Sequence, residues 1–172
     1  MRPKRIHIVG IYGSGKSTLA KDLSKLLKIK SYDLDEIKYK RKYDKIRTVN
    51  ERLKIVKQIS KKKHWITEGT WLDYALPLYN AADLVILLEI SKAKLYKRIF
   101  VRYVKRKFHK EEYFKNNLKM TLKIMGKVKQ YFQDPNAFIT LTKHKHYLDA
   151  HAKKVIVIKN NKDVNRLFKE LS

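Results

Sequence analysis

The chain reads as an α/β sandwich built on a parallel sheet. Five short apolar segments alternate with stretches of helical periodicity, the pattern of consecutive βα units. Those segments run almost without polar interruption, as strands buried on both faces do. Three of only five glycines, Gly10, Gly13 and Gly15, fall in the turn after the first segment, where the backbone must adopt an unusual path.

Residues 5–9 form the first strand, and 17–27 an amphipathic helix with Leu19, Leu23, Leu26 and Leu27 on one face. A weaker second strand covers 30–33. Thr48 and Glu51 have capping-box spacing and open a helix carrying Val49, Leu53, Val56 and Ile59. The third strand, 64–67, closes on Glu68-Gly69, and the fourth, 84–88, is the most apolar. Ser91 caps a basic helix running to Phe108. A further helix, about 112–132, puts Phe114, Leu118, Thr121, Met125, Val128 and Phe132 on one side. Asp134-Pro135 reads as an N-cap followed by an N1 proline. Residues 155–158 are the fifth strand and 163–171 the last helix. The basic insertion between strands four and five reads as too polar for core and too patterned for disorder.

Composition narrows the function classes. The 172 residues predict one domain, 1–172, and 44% apolar content supplies a core. Cysteine is absent, which excludes disulfides, a thiol nucleophile and Cys-based zinc sites. The longest purely apolar run, 84–88, is far too short for a membrane span, so a cytoplasmic protein is expected. A net charge of +26 favours anionic partners: nucleotides, nucleic acid or anionic lipid. His144, His146 and His151 cluster in sequence, but His-x-His beside lysines seldom converges on a metal.

Gly10-Ile11-Tyr12-Gly13-Ser14-Gly15-Lys16-Ser17 fits G-x-x-x-x-G-K-[ST] between a strand and a helix. Such a loop turns successive amide hydrogens onto a phosphate, and the helix start adds its dipole. Lys16 supplies charge for the β- and γ-phosphates, Ser17 a hydroxyl for Mg²⁺, and Ser14 and Thr18 further donors. The expected cofactors are ATP or GTP with Mg²⁺.

Ligands of open α/β sheets lie beyond the carboxyl ends of the strands. There stand Asp33, Asp35 and Glu36 after strand two, Glu68, Thr70 and Trp71 after strand three, and Glu89 after strand four. A phosphoryl acceptor needs a carboxylate to orient its hydroxyl and take the proton. Asp35 is the candidate base, with Asp33, Glu68 and Trp71 as acceptor contacts. Their competing roles are helix capping and pairing with lysine, the role expected of Glu89. A water-mediated contact to Mg²⁺ is a further reading of Asp33 or Glu68. Trp65 is expected in the core. Arg98, Arg102 and Arg106 recur at four-residue spacing in a chain with nine arginines against 33 lysines. One arginine stripe points to planar phosphate recognition, with Arg98 and Arg102 as catalytic candidates.

The loop 10–18, Tyr32-Asp33-Leu34-Asp35, Trp65-Ile66-Thr67-Glu68-Gly69, Ala82-Asp83-Leu84-Val85 and the Arg98/Arg102 helix follow in that order. Together they resemble the adenylate-kinase-like P-loop kinases, closest to the branch named for DNA topology modulation. The resemblance implies a three-layer α/β/α sandwich whose five-stranded parallel sheet has the order 2-3-1-4-5. It implies a nucleoside triphosphate and a lid over about 92–131, and it places Lys159-Asn160-Asn161 near the nucleotide base. The acceptor is expected to be a small molecule, and Tyr12, counted with the loop as a nucleotide contact, could also reach the acceptor or the lid. The Asp33-x-Asp35 pair is similar to the acceptor-binding acids of shikimate and gluconate kinases. Glu68-Gly69 stands where nucleotide monophosphate kinases carry an Asp-Gly-Phe/Tyr-Pro-Arg run, which argues against that acceptor. The segment 92–131 carries 14 Lys/Arg against Glu111 and Glu112 and interleaves Tyr103, Phe108, Tyr113 and Phe114. The alternative reading is therefore a nucleic-acid-binding protein or polynucleotide 5′-hydroxyl kinase using that insertion.

Overall fold

The computed structural model describes residues 2–40, 45–108 and 118–171, and of 106–108 only the backbone. The chain order is β1 (Arg5–Gly10), α1 (Lys16–Leu27), β2 (Ser31–Asp33), α2 (Leu34–Lys38), α3 (Val49–Ser60), β3 (Trp65–Glu68), α4 (Leu76–Ala81), β4 (Leu84–Leu88), α5 (Lys92–Phe108), α6 (Leu118–Gln133), α7 (Leu141–His151), β5 (Val155–Ile158) and α8 (Asn161–Leu171). The strands form one sheet in the order β2-β3-β1-β4-β5, every neighbouring pair parallel. This is the order the resemblance implies.

Parallel neighbours must be joined by crossovers, and the helices that make them cover both faces. The period-two alternation of strand side chains then divides the core. Ile6 and Ile8 of β1 and Ile86 of β4 pack with Leu19, Leu23, Ile158 and Leu167. Val9, Val85 and Leu87 face the other way, onto Leu34, Val56, Leu78 and Trp65. Each such fully buried side chain contributes roughly 1.5–3 kcal/mol. Trp65 is fully buried, as expected. Thr48 and Glu51 complete the capping box at the start of α3.

Two expectations need correction. The insertion is not excluded from the core: Leu95 and Ile99 of α5 and Val128 and Tyr131 of α6 are buried in the same cluster as β1 and β4. Basic residues on the outer faces of these helices masked their inward stripes. Asp134-Pro135 does not start a helix. Asp134 Oδ1 accepts from the Asn136 amide at 2.9 Å in a turn, and α7 begins later, capped by Thr140. An acid followed by proline suits a turn as well as an N-cap. The start of the helix placed at 112 lies outside the described residues, as do Tyr113 and Phe114 and the side chains of Arg106 and Phe108. Among the described residues no helix is long and apolar enough to cross a membrane.

Candidate active site

The glycine loop leaves β1 and enters α1 with Gly10, Gly13 and Gly15 all at positive φ. At Gly13 the requirement is double. Its φ of 79° disfavours a side chain, and a Cβ there would lie 3.0 Å from Ile99 of α5. Gly15 occupies the N-cap of α1 without a side-chain cap bond, so no local side chain claims the first-turn amides. Ser14 Oγ is buried and, among the described residues, has no hydrogen-bond partner. These are the donors a phosphate chain needs, so the loop fits a nucleoside triphosphate. Lys16 is buried beside it, while Ser17 and Thr18 are exposed at its mouth.

The acids arrive from β2 and β3. Ser17 Oγ donates to Glu68 Oε1 across 2.5 Å. Burial pushes the Glu68 carboxyl up, opposed by the Lys16 charge and the Ser17 bond. Asp35, in the first turn of α2, accepts from Trp71 Nε1 at 2.8 Å. Asp33 is the N-cap of α2 and accepts the Asp35 amide at 2.7 Å. Burial first, then the neighbouring Glu68 charge, raises its pKa to about 7. Gly69 explains how the two strand ends come so close. A Cβ there would stand 2.7 Å from Leu34 Cβ, between Asp33 and Asp35 in the chain.

The arginines come from α5, which docks through Leu95 and Ile99. Arg98 NH1 donates to the Ser14 carbonyl at 2.8 Å, fastening the helix to the loop. Residues 12–18, Asp35, Glu68, Arg98, Arg102 and Asn160 line one cavity of about 520 Å³. Gly10, Asp33 and Trp71 lie outside that lining: Gly10 packs under the loop against Leu88, and Trp71 touches the cavity through Asp35. Asn160 Oδ1 accepts the Lys162 and Asp163 amides, so it also caps α8. Glu89 pairs with Lys145 at 2.9 Å.

Three contributors escaped sequence reasoning. Asp22 lines the cavity from α1. Lys127 of α6 holds its ammonium 5.3 Å from the Tyr12 ring centroid. Its place next to the buried Val128 was the available signal. His144 is fully buried, with Nδ1 against the Tyr131 hydroxyl at 2.8 Å and Nε2 against the Thr70 carbonyl at 3.3 Å. Burial lowers its pKa to about 4, so the neutral ring braces the segment between Glu68 and Trp71.

A parallel 2-3-1-4-5 sheet with a glycine loop entering α1 is the fold of the shikimate-kinase-like P-loop kinases. The chain is similar to shikimate kinase from Bacteroides thetaiotaomicron, at 16% identity and a TM-score of 0.60 with 98% of each chain covered. It is similar to shikimate kinase from Acinetobacter baumannii in complex with shikimate, at 15% identity and a TM-score of 0.58, covering 98% of this chain and 90% of that one. An uncharacterized protein from Eubacterium ventriosum matches at 16% identity and 0.54, with 98% of each chain covered. At these identities the likeness establishes the fold. Among curated proteins, the uncharacterized protein YqaC of Bacillus subtilis (strain 168) is 35% identical over 105 residues, which span 58% of this chain and 59% of that protein's length. No protein-family profile matches the chain.

Proposed function

We propose that this chain is an ATP-dependent phosphotransferase that moves the γ-phosphoryl group to a hydroxyl of a small-molecule acceptor. The observation that carries this reading is one cavity in which a phosphate-binding loop faces the carboxylates of Asp35 and Glu68, with Asp22 further along the lining. The similarity to shikimate kinases supports a small acceptor, and the W-x-x-E-G segment supports the branch named for DNA topology modulation.

In this reading the amides of 13–18 and the Lys16 ammonium hold the triphosphate. Magnesium, when bound, neutralises phosphate charge and would be held by Ser17 Oγ with Glu68 beside it. Asp35 Oδ1 is engaged by Trp71, which leaves Oδ2 to receive the acceptor's proton. The acceptor oxygen bonds to the γ-phosphorus, the bond to the β-phosphate oxygen breaks, and the diphosphate leaves. Arg98 and Arg102 stabilise the charge that builds on the moving group. Asn160 lies at the nucleotide end of the cavity.

A screen of labelled ATP against nucleosides, nucleotides, sugars and 5′-hydroxyl oligonucleotides tests the proposal. Asp35→Asn is expected to lower transfer by about 10²–10⁴-fold while nucleotide binding persists. Lys16→Ala is expected to abolish transfer. Full transfer by Asp35→Asn removes the base assignment. Absence of any nucleoside triphosphate binding removes the whole reading.

A further inference from the structure

The opposite pole of the sheet carries a second concave surface that phosphotransfer does not use. Where β1, β3, β4 and β5 begin lies a cavity of about 690 Å³, larger than the one at the loop. It shares Arg2, Pro3, Lys4 and His64 with a neighbouring cavity that reaches Lys30. The two form one groove along the amino-terminal edge of the sheet, from Lys154 before β5 to Lys30 before β2.

The register shows what lines it. The residues that precede the strands, in spatial order, are Lys30, His64, Lys4, Asp83 and Lys154. With neighbouring strands about 4.8 Å apart, this row is about 19 Å long. Two acids, Asp83 and Glu170, lie in the lining, and Asp83 is already taken up. Its carboxylate accepts from the Arg5 guanidinium and from the Lys4 and Arg5 amides. The side chains of Arg2, Lys4, Lys63 and Lys154 are exposed, and among the described residues none has an ion pair or hydrogen bond. Lys28 and Lys61 on the same edge have a local reason to be there, because they cap the C-termini of α1 and α3. The four cations beside strand starts have none. Against these four cations the lining sets one further carboxylate, Glu170, whereas Asp33, Asp35, Glu36 and Glu68 gather at the other pole around the candidate active site.

We infer that this groove binds the phosphate backbone of single-stranded nucleic acid. A point anion would call for a nest of amides or a buried cation. Here the cations are exposed, spread along a line and set in a continuous channel, which suits a polyanion held by counterion release. Its concavity disfavours a flat lipid surface. This site differs from the α5–α6 insertion as a nucleic-acid surface, and it does not depend on the phosphotransferase reading.

The test is fluorescence anisotropy of a labelled 20-nucleotide single strand with the whole chain, without nucleotide, across a salt series. The groove triple Lys4→Glu/Lys63→Glu/Lys154→Glu is compared with the insertion triple Lys94→Glu/Lys97→Glu/Lys123→Glu, which changes net charge equally. Both sets of side chains are exposed. The groove triple is expected to lose at least about tenfold in affinity near 0.15 M salt and about two units of salt slope, at about 0.7 per phosphate contact. The insertion triple is expected to stay within about threefold of wild type. A Lys→Gln triple at the groove positions, read the same way, serves if charge reversal lowers the melting temperature. Equal losses in both triples, a larger loss in the insertion triple, no binding by the wild type, or uptake by phosphatidylserine vesicles alone would each overturn the inference.

Discussion

The indole N–H of Trp71 donates to Asp35 Oδ1 across 2.8 Å, joining residues 36 positions apart. Lys38 sits over the same indole, 4.5 Å from its centroid, and Trp71 stacks on Tyr74. The ring is therefore clamped, and through it so is the carboxylate. Trp71→Phe keeps an aromatic ring beside Tyr74 and removes the donor. Turnover is expected to fall about tenfold with nucleotide affinity unchanged, the cost of losing one charge-assisted bond. Combined with Asp35→Asn it should add nothing further. Additive losses in steady-state kinetics would show that Trp71 acts independently of Asp35.

Ser17 and Glu68 share a short hydrogen bond at the point where the loop meets β3. Glu68→Gln keeps an acceptor for Ser17 but removes the charge. The magnesium concentration needed for tight nucleotide binding is expected to rise about 10-fold or more, as for loss of an outer-sphere partner. Calorimetry at graded magnesium measures it. An unchanged requirement would confine Glu68 to packing.

Gly69→Ala tests the close approach behind the acids. The new methyl would meet Leu34 at 2.7 Å. Overpacking is expected to cost about 1–3 kcal/mol in urea denaturation. Leu34→Ala removes the contacts to Cδ1 and Cγ at 2.9 and 3.0 Å and keeps the Cβ, so in a double-mutant cycle the two losses are expected to be less than additive, and full additivity would place the strain elsewhere.

Asp33 gives a pH signature. In the folded chain burial, and then Glu68, raise its pKa from 3.8 to about 7. Between those values the folded state keeps a proton that the unfolded state has lost, so this group lowers stability as pH rises through the window. Asparagine still caps α2 but does not titrate. Asp33→Asn is expected to match wild type near pH 4 and exceed it by on the order of 1 kcal/mol near pH 8. Urea midpoints at several pH values decide it, and a pH-independent difference would contradict the assignment.

Much of the architecture was legible because it is written locally. The apolar runs at 84–88 and 155–158 and the capping box at Thr48 need only their own neighbours to be read. The five- and six-residue helices α2 and α4 were not legible, since one or two turns are too short to display a period. Nor was the burial of Leu95, Ile99 and Val128, because the charge of α5 and α6 is averaged over all faces while packing uses one.

The sequence by itself determined where the glycine loop lies, because only glycine readily takes the positive φ angles found at Gly10, Gly13 and Gly15. It also placed Asp33, Asp35 and Glu68 at the carboxyl ends of β2 and β3 and Arg98 and Arg102 on one helix face. Only the tertiary structure decided their separate positions: Asp33 as a helix cap, Asp35 held by Trp71, Glu68 on Ser17, Arg98 on the loop carbonyl. These are pairings between distant segments, set by how side chains of β2, β3 and α5 pack against each other. No local pattern carries that information.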